Sequence, residues 1–238
     1  MAKRKSKEPP SPGVFVRLRR WAGRFVLGLG IVLIGVMGLY AVAPVPTTPY
    51  QIGERMRLGG VSFDWVPMDQ IAPVMARSAV AAEDANFCAH WGFDIAALRE
   101  AIEGGMRRGG STIDQQTVKN VFLWQGRSWP RKAMETLLTP LSEIVWTKRR
   151  ILTLYLNVIE FGEGVFGVEA AAQHHFGVSA SELSPRQAAL LAAILPAPKD
   201  RSAARPSRFV TQRAAAIRDG AETIRRDGRD DCFEPRRE

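Results

Sequence analysis

"MDQIAPVMARSAVAAED" runs from Met68 to Asp84. Ile71, Val74, Met75, Ala79 and Ala82 recur at helical spacing, so the stretch predicts an amphipathic helix. It ends in two adjacent carboxylates, Glu83 and Asp84, and the next residues, "ANFCAHWGFD", carry Phe87, Trp91 and Phe93. A carboxylate among apolar rings has its charged form disfavoured, which raises its proton affinity. That is one way to poise a general base or acid. The plainer reading is a Glu-Asp pair in water at a helix end. His90 has no second histidine at ligand spacing and reads as a structural hydrogen-bonding residue, not a metal ligand.

The same period continues along the chain. "LSEIVWTKRRILTLYLN" (Leu141–Asn157) places Ile144, Ile151, Leu152, Tyr155 and Leu156 on one apolar stripe. "SPRQAALLAAILPAP" (Ser184–Pro198) opens with a Ser-Pro helix entry and stops at proline. Long alternating strand patterns are absent, so the fold class is mainly α. After Lys199 the chain is polar and Arg-rich, which predicts a peripheral helix around Val210–Arg226 and then a frayed end.

"FVLGLGIVLIGVMGLYAVA" (Phe25–Ala43) is 19 residues without a charge. As a helix it reaches roughly 28 Å, near the thickness of a bilayer core. The formal net charge is +9, and Lys3, Arg4, Lys5, Lys7, Arg17, Arg19, Arg20 and Arg24, against Glu8, supply most of it just before this run. The positive-inside rule then puts the N-terminus in the cytoplasm and everything after Pro44 across the membrane. Ala41-Val42-Ala43 resembles a signal-peptidase site, but the apolar run exceeds the usual ~7–15 residues of a signal peptide, which favours a retained anchor. With the charge concentrated there and no groove-reading motif, nucleic acid is not an expected partner. Cys88 and Cys232 could form one bridge; two unpaired thiols is the simpler expectation, and neither belongs to a CxxC or Cys/His metal pattern.

Three further stretches carry chemistry. In "GGSTIDQQTVKN" (Gly109–Asn120), Ser111 or Thr112 can cap a helix. Thr112, Gln115, Gln116 and Lys119 then share one face, suited to phosphate or sugar oxygens. The spacing is not that of a P-loop. In "SWPRKAMETLL" (Ser128–Leu138), Arg131 and Lys132 stand four and three residues before Glu135, ordinarily a solvated ion-pair ladder. Lys148, Arg149 and Arg150 precede an amphipathic helix in which Asn157 helps form the end.

Taken in order, "EDANFCAHWGFD", "GGSTIDQQTVKN", "RKAME", "KRRILTLYLN" and "RQAALLAAILPAP" resemble the signature motifs of the family 51 glycosyltransferases, especially the monofunctional biosynthetic peptidoglycan transglycosylases. The resemblance implies a lysozyme-like glycosyltransferase domain over residues 66–200, preceded by a basic N-terminus (1–24), a transmembrane helix (25–43) and a membrane-proximal linker (44–65). An Arg-rich extension (201–238) follows. The implied substrates are lipid II and the lipid-linked nascent glycan, on the outer face of the cytoplasmic (inner) membrane. A membrane-contacting jaw is expected around "ALREAIEGGMRRGG". Other cell-wall synthesis proteins are possible partners.

By the same resemblance Glu83 is the general base and Glu135 the second catalytic carboxylate, assisting pyrophosphate departure, with a divalent cation (Mg or Mn) as a possible cofactor there and none covalently bound. Lys119, Arg131, Lys132 and Lys148 would offset pyrophosphate charge. Gln115, Gln116, Asn120, Ser111 and Thr112 would position oxygens, and Asp84 would orient the site. Asp114 departs from the family, which usually has a small hydroxyl residue there. Helical geometry sets it about 100° from its neighbours, so it is expected on the flank, where an acid in the first turn suits the helix dipole. A membrane-bound lytic transglycosylase or muramidase, and an inactive anchored scaffold of cell-wall synthesis, are the competing readings.

Overall fold

The computed structural model describes residues 13–103, 110–126 and 128–234. The chain divides into two compact units between Val42 and Ala43. The first holds helix α1, Val14–Tyr40, whose 27 residues are long and apolar enough to cross a membrane. It starts earlier than the apolar run, so Arg17, Arg19, Arg20 and Arg24 lie on its first turns. Lys3, Arg4, Lys5 and Lys7 fall outside the described residues.

The second unit contains α2 (Pro49–Leu58), β1 (Ser62–Phe63), α3 (Pro73–Glu83), α4 (Ile95–Glu103), α5 (Ile113–Phe122), α6 (Trp129–Val145) and α7 (Lys148–Val158), then β2 (Glu160–Gly162), β3 (Val165–Phe166), α8 (Val168–Phe176), α9 (Pro185–Ile194) and α10 (Arg208–Arg226). It is mainly α. Helix α7 is apolar on nearly all sides, and every residue from Ile151 to Val158 is buried, as expected of a central helix. Helix α5 packs between α6 and α7, while α3, α9 and α10 pack together. The strands form one small sheet in the order β1-β3-β2, with β1 parallel and β2 antiparallel to β3. Asn157 pins this region to the segment before α3: its Oδ1 accepts from the Val66 N–H and its Nδ2 donates to the Val66 carbonyl, both at 2.9 Å. Gly167, at φ 82°, lies so close that a Cβ there would stand 2.7 Å from the Asn157 carbonyl oxygen, so only glycine fits.

Three expectations change. The stripe read through Leu141–Asn157 is two helices. Trp146 closes α6 and the Thr147 hydroxyl recaps α7 by accepting from the Arg150 N–H at 3.2 Å. Ile144 is therefore 69% exposed while Ile151, Leu152, Tyr155 and Leu156 are buried. The segment 44–65 is folded onto the domain, with the Tyr50 hydroxyl donating to Glu160.

The third change concerns the C-terminal segment. Helix α10 covers α3 and α9 with a buried stripe of Val210, Ala214, Ile217, Ala221 and Ile224. Gly220 permits the approach, since a Cβ there would lie 3.3 Å from that of Ala81. The described segment after α10, to Glu234, is held in place: Cys232 is bridged to Cys88 (S–S 2.07 Å), overturning the unpaired-thiol expectation. Phe233 is fully buried beside Phe87, and Arg149 donates to the Phe233 carbonyl at 2.6 Å. The helix was expected as peripheral, but its buried stripe packs on α3 and α9, which lie far from it in sequence.

Candidate active site

Glu83 is the last residue of α3, and Asp84 leaves the helix with extended φ (−161°). The Asp84 carboxylate accepts from the Ile113 N–H at 2.9 Å and from His90 Nε2 at 2.9 Å. It thereby ties the end of α3 and the turn after it to the first turn of α5, where orphan helix N–H groups need an acceptor. Helix α5 starts there because Thr112 and Gln115 form a capping box: the Gln115 N–H donates to the Thr112 hydroxyl and the Thr112 N–H to Gln115 Oε1. One residue on, Gln116 Nε2 donates to Glu83 Oε2 at 3.0 Å.

Gln116, Lys119 and Asn120 line a cleft of about 360 Å³. Tyr155, Ile159 and Leu195 line it too, and so do Tyr50, Glu160 and Lys199. A second cleft of about 260 Å³ is lined by Glu83, Asp84, Asp94, Gly110, Ser111 and Thr112. Glu83 thus faces one cleft while its hydrogen-bond partner faces the other. Its side chain is 14% exposed. Burial pushes its proton affinity up, against the opposing pull of the Gln116 hydrogen bond and of the nearby Arg213 and Lys119 charges. Arg213, on α10, stands 3.6 Å from Glu83 Oε1.

Lys119 is half-buried, and the lost solvation favours its neutral form. Glu135 and Glu83 pull toward the ammonium, and Arg131 and Lys132 push against it. Three of the sequence stretches therefore meet in one electrostatic site. Glu135 is 3% exposed, and its two oxygens are each taken, one by Arg131 at 2.7 Å and the other by Lys132 at 2.5 Å. The result is a fixed cationic wall with a buried counter-ion.

A sequence model of the family described as Transglycosylase matches residues 52–222, well over half of the chain. The chain belongs to the transglycosylase family. It is 63% identical to a biosynthetic peptidoglycan transglycosylase of Jannaschia sp. over 91% of this chain and 90% of that protein. Proteins of the same description from Caulobacter vibrioides (45% identical; 90% of this chain, 97% of that one) and Cronobacter sakazakii (49%; 84% and 88%) are also similar. The matched region begins in α2 and ends in α10, so it takes in Glu83, Glu135 and Arg213 but not Cys232.

Within this transglycosylase several sequence-predicted site residues stand elsewhere than expected. Thr112 and Gln115 spend their side chains on the cap, and the Thr112 hydroxyl donates to the Gly92 carbonyl at 2.7 Å. They place Gln116 instead of facing the first cleft themselves. Asp114 is not on the flank but fully buried. Lys148 turns to it, with Nζ 3.2 Å from Asp114 Oδ1, 2.6 Å from Glu143 Oε1 and 4.4 Å from the Phe87 ring centroid. Burial, partly offset by Lys148 and reinforced by Glu143, pushes the Asp114 carboxyl up to about 7. Lys148 is thus held by two carboxylates.

Replacing Lys148 by Met is expected to destabilise the transglycosylase by about 3 kcal/mol, because removing one partner of a buried pair strands the other. Urea denaturation of the detergent-solubilised protein reads this. An unchanged midpoint with a raised KM would return Lys148 to the substrate.

Glu135 does not fit the expected divalent cation. Both oxygens already face a cation, and an added ion would meet Arg131 and Lys132 at contact distance.

The sequence reading missed Arg213, Tyr155, Tyr50, Glu160 and Lys199. For Arg213 a signal existed: it sits three residues after Val210 and next to Ala214, at the edge of the buried stripe of α10. Nothing local marks the others, which reach the cleft only through tertiary packing. Residues 104–109, the "GGMRRG" stretch of the predicted jaw that ends in Gly109 of the α5 entry, lie outside the described residues.

Proposed function

We propose that this transglycosylase is a peptidoglycan polymerase that joins lipid II to a lipid-linked glycan through a β-1,4 bond and releases undecaprenyl diphosphate. The observation that carries the reading is the pairing of a buried, proton-avid Glu83 with a cationic wall of Lys119, Arg131 and Lys132 around a second carboxylate. Glu83 takes the proton from the acceptor sugar's 4-hydroxyl as that oxygen forms a bond to the donor's anomeric carbon. The bond from that carbon to pyrophosphate breaks on the opposite side, so the α-linked donor gives a β-glycoside. The leaving pyrophosphate gains charge as it departs, and preorganised cations stabilise that change more than the ground state. Glu135 holds two of these cations in place, and Gln116 and Asn120 contact sugar or phosphate oxygens. A muramidase cleaves with water and has no anionic leaving group for such a wall to serve.

The similar proteins are biosynthetic peptidoglycan transglycosylases, which supports the same reading. So does the architecture. Helix α1 fits a single-pass anchor, with its Arg-bearing end in the cytoplasm and the catalytic unit on the outer face of the inner membrane. A disulfide belongs in an oxidising compartment. Helix α6 leaves an apolar stripe exposed, with Met134 at 42%, Leu137 at 72% and Ile144 at 69%, on which the domain would rest against lipid.

The test is the purified full chain in detergent with labelled lipid II. The expected product is a ladder of glycan sensitive to muramidase. Lipid II left untouched while finished peptidoglycan is digested would overturn the polymerase reading in favour of a lytic enzyme. Undiminished polymerisation in a chelator is the result expected from the occupied Glu135 oxygens.

A further inference from the structure

We infer that Arg213 of α10 is a positioning residue for Glu83, holding its carboxylate in place and keeping it ionised at working pH. This rests on the reading of Glu83 as general base. It gives the C-terminal helix, which carries no motif of its own in the sequence, a direct part in the reaction.

The geometry is specific. Arg213 Nη2 lies 3.6 Å from Glu83 Oε1 and 3.4 Å from the carbonyl oxygen of Ala82, to which it donates. Ala82 is in the last turn of α3, where carbonyls lack helical partners and cationic groups are favourable. One guanidinium therefore satisfies the end of α3 and stands beside the carboxylate that the same end presents. The other Glu83 oxygen is held from the opposite side by Gln116 of α5. One contact is a hydrogen bond and the other an ion pair, and they approach the two oxygens from different helices.

The electrostatic consequence follows from what surrounds Glu83. Burial favours its neutral form, and the adjacent Asp84 does the same. Tyr155 of α7 is buried nearby. The cations that face Glu83 are Arg213 from α10 and Lys119 from α5. Lys119 is shared with Glu135 and repelled by Arg131 and Lys132, whereas Arg213 has no second carboxylate among its ion pairs in the described residues. Arg213 is thus the cation committed to Glu83. A general base works only as the carboxylate, so activity falls as pH falls through its raised pKa. Removing Arg213 raises that pKa further and moves the acid limb to higher pH.

The experiment is the pH profile of kcat/KM for lipid II polymerisation by the full chain in detergent, for wild type, Arg213→Gln and Arg213→Lys. Arg213→Gln is expected to move the acid limb up by about one unit, a shift appropriate to an opposite charge at this distance that is one-third exposed. Above the limb its activity should level off below wild type, because the orienting contact is lost as well. Arg213→Lys should bring the limb back toward the wild-type position. If Gln prevents folding, Arg213→Met keeps the apolar stem against α3 and takes its place. An unmoved limb in the Gln or Met variant, with activity lowered equally at every pH, would reduce Arg213 to a packing residue and overturn the inference. The Glu83 reading is tested separately: it fails if Glu83→Gln stays active, and stands if that variant is dead while the Arg213 limb is unmoved.

Discussion

Glu83→Gln is expected to lower lipid II polymerisation about 10³-fold, within the range that loss of a general base costs. The substitution is nearly isosteric, and Gln116 Nε2 can still donate to the remaining amide oxygen, so the clefts on either side keep their shape. Stability should not fall. A carboxyl whose folded pKa is raised above its unfolded value weakens the fold at pH values above the unfolded pKa, where the charge must be kept in a buried place. The amide carries no such cost, so the variant should melt at or above the wild-type temperature. A dead variant that is also unfolded would say nothing of catalysis; a dead variant that melts as high as wild type isolates the proton transfer. Polymerisation within about threefold of wild type would show that another group takes the proton. A residue that lowers stability while enabling function is a common bargain in active sites.

Breaking the Cys88–Cys232 bridge carries the second largest effect. The bond closes a loop of 144 residues, for which the chain-entropy relation gives about 5 kcal/mol, at the top of the range seen for native disulfides. For a unit of this size that is a fall of roughly 10–15 °C in melting temperature. The Cys88→Ser/Cys232→Ser protein, or wild type melted with reductant, reads it directly. Activity should suffer as well. Cys88 lies in the turn that runs from Asp84 to His90, and Asp84 is what ties α3 to α5. With the bridge gone, the turn retains the Phe87–Phe233 ring contact and the Arg149 hydrogen bond to the Phe233 carbonyl. Those contacts hold the C-terminal segment only while it stays docked. Coincident melts with and without reductant would show that these contacts alone carry the segment.

Much of this protein was legible in one dimension. The uncharged run Phe25–Ala43, with arginines before it, encodes a membrane-length helix by local hydropathy alone. The period-3.6 stripes of α3, α7, α9 and α10 need no partner to be read, and caps such as Thr112/Gln115 and Ser184/Gln187 mark helix starts within three residues. The order of the motifs, through the family they resemble, was enough to group Glu83, Lys119, Arg131, Lys132 and Glu135; residue type and spacing alone left each of them a plainer reading.

What failed did so where a side chain's partner lies far along the chain. Asp114 looks like a first-turn acid on a helix flank, and the arrival of the Lys148 ammonium from the start of α7 offsets the cost of burying it. The break at Trp146–Thr147 was hidden because the apolar spacing runs through it. Sequence by itself determined the helical class and a helix of membrane length, since these rest on local periodicity and hydropathy, while the proposed reacting groups came from the order of the family motifs. The tertiary structure alone decided that Lys148 pairs with Asp114 and Glu143, that the two cysteines meet, and that α10 brings Arg213 to Glu83, because ion pairing and burial depend on distances in space that spacing along the chain does not contain.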